Sequence, residues 1–281
     1  MNDSILWLNG KLVRAREARV SPFDHGLLVG DGAFETLRVY GGVPFAWSRH
    51  YERLSRSARG LGLAVPAANE LRAAVDAVLA ANDLTEARVR LTLTGGPSPP
   101  GSERADVPPT VLVIAGPPTP FPATVDVVTV PWTRNERGAV TGLKTTSYAE
   151  NVRALAYAQE RDAGEAIFLN TRGEVCEATG SNLFVVGEGV LRTPPAGAGC
   201  LLGVTRALVL ELCAGHGIPA EEADLAPPSL SYADEAFVTS STREVQPIAH
   251  ADGRALPAAP GPTTEKIAHL FTELIGRDLD P

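Results

Sequence analysis

The chain has 281 residues, 44% of them hydrophobic, and a formal net charge of −8. That length can hold one large domain or two of ordinary size around a substantial core. The acidic balance, the lack of a basic run and the 6% aromatic content exclude a nucleic-acid surface or a base-stacking platform. No apolar run reaches membrane-spanning length. The start, Met1-Asn2-Asp3-Ser4, lacks the basic and apolar stretches of a secretory signal. Three cysteines (Cys176, Cys200, Cys213) without C-x-x-C spacing read as reduced thiols of a cytoplasmic protein, not as a disulfide frame or a metal site.

Two short apolar runs from Ile5 to Arg14 turn at Asn9-Gly10, which predicts a hairpin. A strand follows over Leu37 to Tyr40 and ends at Gly41-Gly42. Apolar residues recur at helical spacing from about His50 to Leu61 and from Glu70 to Ala81, with Pro66 between. Arg88 to Thr94 alternates strictly, with Val89, Leu91 and Leu93 on one face and Arg88, Arg90, Thr92 and Thr94 on the other. Val111 to Ala115 reads as a buried strand. The stiff Gly116-Pro117-Pro118-Thr119-Pro120 places a linker over 116–122, between a small domain, 1–115, and a larger one, 123–281. In the larger domain the pattern predicts strands over Val125 to Val130, Asn182 to Val186 and Ala236 to Thr239, and a hairpin near Thr171-Arg172-Gly173. Helices are predicted from about Tyr148 to Ala163, Val204 to Ala214 and Thr263 to Ile275. Strands and helices mix without regular βαβ order, so the fold class is α+β.

Of the 25 basic residues only Lys11, Lys144 and Lys266 are lysines. Lysine forms Schiff bases and arginine does not. Lys144 stands just before Ser147-Tyr148-Ala149-Glu150, whose spacing is that of a capping box. It therefore occupies the connection ahead of a helix, where a side chain can point into a cleft. Downstream, Glu177 precedes a small polar turn entering the strand from Asn182. A carboxylate so placed can hold a pyridine nitrogen protonated, or be an ordinary exposed turn acid. Gly203-Val204-Thr205-Arg206 opens a helix whose first amides and Thr205 hydroxyl suit a phosphate, or serve as a plain N-terminus. Thr239-Ser240-Ser241-Thr242 ends a strand with hydroxyls. Arg53 can neutralise a phosphate in bidentate fashion, or sit on a solvated helix face. Arg90, on the polar face of its strand, can meet a substrate carboxylate or be a surface charge.

These elements occur in one order: Gly30-Asp31-Gly32-Ala33-Phe34-Glu35-Thr36-Leu37-Arg38, His50-x-x-Arg53-Leu54, Lys144, Glu177 with Asn182, Gly203 to Arg206, and Ser240-Ser241-Thr242. In that order the chain resembles the class IV pyridoxal-phosphate enzymes, the family of branched-chain and D-amino acid aminotransferases and of aminodeoxychorismate lyase. The likeness spans nearly the whole length. It implies the two-domain fold type IV architecture, with a small N-terminal α/β domain and a larger domain built on a mixed, barrel-like sheet. It also implies pyridoxal 5'-phosphate as cofactor, an amino donor and a 2-oxo acid as substrates, and a homodimer with partner loops at the active site. Gly96 to Ala105 is then a candidate partner-facing loop. By the same likeness Lys144 is the Schiff-base lysine and proton shuttle, and Glu177 pairs with the ring nitrogen. Arg53, Val204, Thr205 and Ser241 hold the phosphate, with Asn182 and Tyr148 also at the cofactor. Phe34, Arg90, Ser240 and Thr242 fall on the substrate side.

Several positions depart from known members. Val29 replaces the pocket tyrosine of branched-chain enzymes, and Gly95 stands where a D-amino acid aminotransferase has a carboxylate-trapping arginine. Glu35 resembles aminotransferases, since the lyase pattern has threonine there, and Ser240 replaces a lyase asparagine. Gly30-Asp31-Gly32 is shared by the D-amino acid and lyase branches. The resemblance therefore favours a transaminase over a lyase that forms 4-aminobenzoate and pyruvate with the same lysine. A non-catalytic descendant that only binds would not need Lys144, Glu177 and Arg53 together.

Overall fold

The computed structural model of the protein describes residues 4–281; in the N-terminal start read above for a secretory signal, Met1, Asn2 and Asp3 lie outside them. By their contacts the residues form two compact units. One comprises, of the described residues, 4–119, Leu143–Tyr148 and Leu279–Pro281, and the other comprises Pro120–Gly142 and Ala149–Asp278.

The first unit contains β1 (Ile5–Leu8), β2 (Lys11–Arg14), α1 (His25–Leu28), β3 (Gly32–Tyr40), β4 (Val43–Pro44), α2 (Trp47–Gly60), α3 (Ala68–Ala81), β5 (Ala87–Thr94) and β6 (Thr110–Gly116). Its six strands form a sheet in the order β2-β1-β6-β5-β3-β4, with every pairing antiparallel. Asn9 and Gly10 both take positive φ, 46° and 90°, as a tight hairpin turn demands. Alternation puts Leu37 and Val39 of β3 beside Val89, Leu91 and Leu93 of β5 on the core face, where Leu54 and Ala58 of α2 and Leu71, Val75 and Val78 of α3 cover them. Glu35 has the same parity as Leu37 and Val39, so a carboxylate stands at the margin of this core. Phe34 has the opposite parity.

The edge of β3 is shared. β4 pairs only with Val39 and Tyr40. At the Gly32 end the edge is taken by the chain around Lys144: the Phe34 amide donates to Lys144 O (3.0 Å), the Thr146 amide donates to Gly32 O (2.8 Å), and Ala33 bridges Thr145. Backbone groups that would otherwise lie bare on a sheet edge are thereby paired. The connection before Tyr148, placed by the sequence reading in the larger domain, thus belongs by its contacts to the first unit.

The second unit contains β7 (Val125–Arg134), α4 (Ala149–Gln159), β8 (Glu165–Asn170), β9 (Val175–Ala178), β10 (Asn182–Gly187), β11 (Val190–Thr193), α5 (Val204–Gly215), β12 (Ala220–Glu222), α6 (Pro228–Ser231), β13 (Glu235–Ser240), β14 (Glu244–Ala251), β15 (Arg254–Ala255) and α7 (Pro262–Arg277). Its sheet runs β12-β11-β10-β13-β14-β7-β8-β9, with β15 on β14. It is mixed: β7 lies parallel to both β8 and β14, while β13 is antiparallel to β10 and β14. Only residues 179–181 separate β9, at one end of this order, from β10 near the other, so the sheet curls on itself. No described helix is long and apolar enough to cross a membrane.

Several local expectations change. β3 begins at Gly32, five residues before the strand read from Leu37, because Phe34 and Glu35 are both buried and break the polar alternation. The helix after Lys144 is shorter than expected, Ala149–Gln159, and Ser147 does not act as the first partner of a capping box; its hydroxyl donates to Gly30 O at 3.0 Å. Finally, β6 is not wholly buried, since Ile114 is exposed, and Thr92 is buried on a face expected to be polar.

Phe184 and Phe237 stack across β10 and β13 with ring centroids 4.9 Å apart, both without solvent exposure. Phe237→Ala should cost about 3–5 kcal/mol, read as a lower urea midpoint; a change within error would mean that this pair does not support the curled sheet.

Candidate active site

In the first unit, the residues singled out by sequence converge on the Gly32 end of β3. Lys144 is half-buried, whereas Lys11 and Lys266 are exposed. Its amide donates to Ser57 Oγ of α2 at 3.0 Å, and its carbonyl accepts from the Phe34 amide. The backbone at Lys144 is therefore held on both sides. Its Nζ lies 4.6 Å from the centroid of the Phe34 ring. Tyr148 meets the same ring edge-on at 5.2 Å, and the Arg90 guanidinium lies 3.7 Å from its centroid. Arg90 thus packs on an aromatic face, a contact worth more than an isolated surface charge.

Arg53 is buried, not on a solvated face. Its Nε donates to Glu35 Oε1 (2.8 Å) and its Nη2 to Glu35 Oε2 (2.7 Å), and His50 Nδ1 lies 2.7 Å from Glu35 Oε2. An ionised carboxylate can only accept, so Nδ1 carries the proton. Burial alone would raise the Glu35 pKa. The charge and hydrogen bonds of Arg53, aided by His50, outweigh that and hold it well below the usual carboxylate range. For His50, burial dominates and lowers the pKa from 6.5, against the opposing pull of Glu35.

Neighbouring glycines show how tightly this end is packed. A Cβ at Gly32 would fall 2.5 Å from Leu93 O, and one at Gly95 2.3 Å from Asp31 Oδ2. Asp31 accepts from Arg104 Nε (2.9 Å) and Nη2 (2.6 Å), so the space an arginine at position 95 would need is already filled. Arg104 also donates to Gly62 O at 3.1 Å, and the Ser98 amide to Phe23 O at 3.0 Å, so the Pro/Gly-rich segment is bound at several points. The sequence reading missed Asp31–Arg104 and Glu35–His50, because each pairs residues from separate elements.

In the second unit Glu177 lies on β9, half-buried, and is not the exposed turn acid that was the alternative. Its Oε2 accepts from the Leu201 amide at 2.9 Å, and Asn182 Nδ2 donates to Leu201 O at 2.7 Å. One residue, Leu201, thus ties the carboxylate of β9 to the first residue of β10 through its two backbone groups. Gly203 precedes α5 and has no room for a side chain, since a Cβ there would fall 2.0 Å from Asn182 Oδ1. Gly203 provides no side-chain cap to the α5 amides; Val204 and Thr205 are buried. Ser240 Oγ accepts from the Arg243 amide at 3.1 Å, which shapes the turn holding Ser241 and Thr242. Thr239, register partner of Asn182, keeps a buried Oγ1 that finds no hydrogen-bond partner among the described residues. An orphaned hydroxyl and a helix start without a side-chain cap suit an anionic, multiply hydrogen-bonding group such as a phosphate ester. The cysteines are unsuited to nucleophilic work: burial pushes the Cys200 thiol up to about 12 and the Cys213 thiol to about 11, and raises Cys176 further.

The sequence pattern of the family described as amino-transferase class IV matches residues 32–251. A provisionally named branched-chain-amino-acid aminotransferase of Methanocaldococcus jannaschii is 36% identical over 96% of this chain and 96% of its own. A D-alanine aminotransferase of Listeria innocua is 33% identical, again over 96% of each chain. Among solved structures, the branched-chain aminotransferase of the archaeon Thermoproteus uzoniensis with norvaline superposes with a TM-score of 0.90 at 33% identity, covering 97% of this chain and 94% of its own.

Because His50 is held neutral, the unfolded chain takes up this proton before the folded one as pH falls below the ordinary value of 6.5. Stability contributed by neutral His50 is intact above that value and is lost below it. Urea unfolding at about pH 7 and about pH 5 should show a smaller loss for His50→Asn than for the parent; equal losses would contradict a buried neutral imidazole.

Proposed function

The chain belongs to the class IV aminotransferases, and on that premise we propose that it exchanges an amino group between an amino acid or amine and a 2-oxo acid, with Lys144 as the amine that bonds covalently to the cofactor. Enzymes of this class use pyridoxal 5'-phosphate, whose protonated ring, when bound, accepts the electron pair released as a substrate Cα–H bond breaks. The observation that carries the reading is the setting of Lys144, half-buried where the other two lysines are exposed, with its backbone fixed by Ser57 and Phe34. A backbone so held limits where Nζ can reach, and a positioned amine can take a proton from carbon and return it.

The remaining roles follow from the same reading. Glu177, oriented by the Leu201 amide, pairs with the ring nitrogen, and Asn182 supports that arrangement from the other side of Leu201. Arg53 supplies a fixed positive charge to the phosphate, the amides of Val204 and Thr205 donate to it, and Ser241 adds a hydroxyl. Tyr148 packs on Phe34 beside Lys144. Phe34 gives the substrate an apolar wall, Arg90 meets a carboxylate, and Ser240 and Thr242 line the polar side. Gly95 has no space for an arginine trap, so carboxylate recognition falls to Arg90.

A homodimer fits the first unit's surface, where Phe23, Leu27, Leu28 and Val29 are exposed within one short stretch. Buried, unreactive thiols agree with a cytoplasmic location.

Lys144→Ala should lower transamination by about 10³-fold or more while leaving the urea midpoint near the parent's. Substantial residual turnover would remove Lys144 from its role. Screening single enantiomers of amino acids for loss of the protein-bound cofactor's visible absorbance identifies the donor. Release of pyruvate from aminodeoxychorismate without a 2-oxo acid acceptor would instead show the lyase reaction.

A further inference from the structure

Glu35 is 1% exposed on the core face of β3, in line with Leu37 and Val39. An ionised carboxylate there is costly unless it is fully paired. Its two oxygens receive three donors, namely Arg53 Nε, Arg53 Nη2 and His50 Nδ1, all within 2.8 Å. We propose that Glu35 and His50 are positioning residues that fix the Arg53 guanidinium so that its outer edge is set for a phosphate monoester. This rests on the reading above in which Arg53 meets the cofactor's phosphate.

The geometry favours positioning over simple core filling. A guanidinium is a planar fork of five donors. Glu35 occupies the Nε/Nη2 side through two nearly equal bonds, which fixes the plane and leaves the direction of Nη1 determined. His50 adds a third bond to the same carboxylate, and so resists rotation of Glu35 away from the pair. His50, Arg53 and Ser57 recur on one face of α2 at helical spacing, and Ser57 receives the Lys144 amide. The helix face that holds Arg53 in place therefore also holds the backbone at Lys144. Electrostatics alone predicts the opposite consequence for phosphate binding: a buried anion beside Arg53 partly cancels the charge that attracts phosphate. Removing the Glu35 charge should strengthen phosphate binding if charge matters alone, and weaken it if placement matters more.

The test uses the full chain stripped of cofactor and titrated separately with pyridoxal phosphate and with pyridoxal, which lacks the phosphate. Glu35→Gln should raise the half-saturating concentration of pyridoxal phosphate about 10-fold or more and leave that of pyridoxal nearly unchanged. His50→Phe should weaken pyridoxal phosphate binding in the same selective way, and His50→Asn, whose amide can replace Nδ1–H, should restore most of it. If Glu35→Gln does not fold, the two His50 variants decide the question by the same ratio. Arg53→Gln serves as the control on the underlying reading, because it should abolish the preference for the phosphorylated form. Unchanged preference in Arg53→Gln removes Arg53 from the phosphate, and the proposal falls with it. If Arg53→Gln loses the preference, the proposal alone is overturned by tighter or equal binding of pyridoxal phosphate to Glu35→Gln, or by equal weakening of both compounds.

Discussion

The pairing of residues 144–146 with the open edge of β3 is the constraint on which the functional account depends. A lysine in a free connection would sweep a wide volume, and its covalent chemistry would be unspecific. Here the Lys144 carbonyl, the Thr146 amide and the Thr145 bridge continue the sheet, and Ser57 takes the Lys144 amide from the helix side. The glycines at 30 and 32 make this approach possible. A Cβ at Gly30 would fall 2.7 Å from Ser147 Oγ, and one at Gly32 would fall 2.9 Å from Thr146 Oγ1. Sheet edge, glycine run and lysine form one local structure.

Each unit also places a carboxylate whose oxygens are held by hydrogen bonds from another segment of the chain. In the first unit Glu35 balances Arg53, with His50 kept neutral by burial. In the second, Glu177 accepts from the Leu201 backbone amide, and the carbonyl of the same residue is held by Asn182. Polar groups held this closely add little net stability but restrict geometry. Catalysis through a bound cofactor gains from such restriction, because a ring held in one orientation directs which bond breaks.

Much of this was legible in the sequence, for reasons that can be traced to residues. Asn9-Gly10 demanded positive φ and gave the hairpin, and helical spacing located α2, α3, α5 and α7 to within a few residues. Gly203 before Val204 located the start of α5. Less legible was β3, where Glu35 is buried through a partner 18 residues away that no local pattern reveals. β14 was missed because Pro247 interrupts its sequence, and β11 and β12 are too short for periodicity to register. Ser147 looked like a helix cap, but its hydroxyl is taken by Gly30 O. Local spacing could not anticipate a competing tertiary bond.

The central claim is a covalent one, and the chain's lysine content makes it simple to examine. With lysines only at positions 11, 144 and 266, borohydride reduction of the cofactor-loaded protein followed by peptide mass mapping has few possible outcomes. The account predicts a phosphopyridoxyl group on the peptide containing Lys144 and none on the other two. A stoichiometric label on Lys11 or Lys266, or cofactor that remains bound yet leaves Lys144 unmodified, would contradict it.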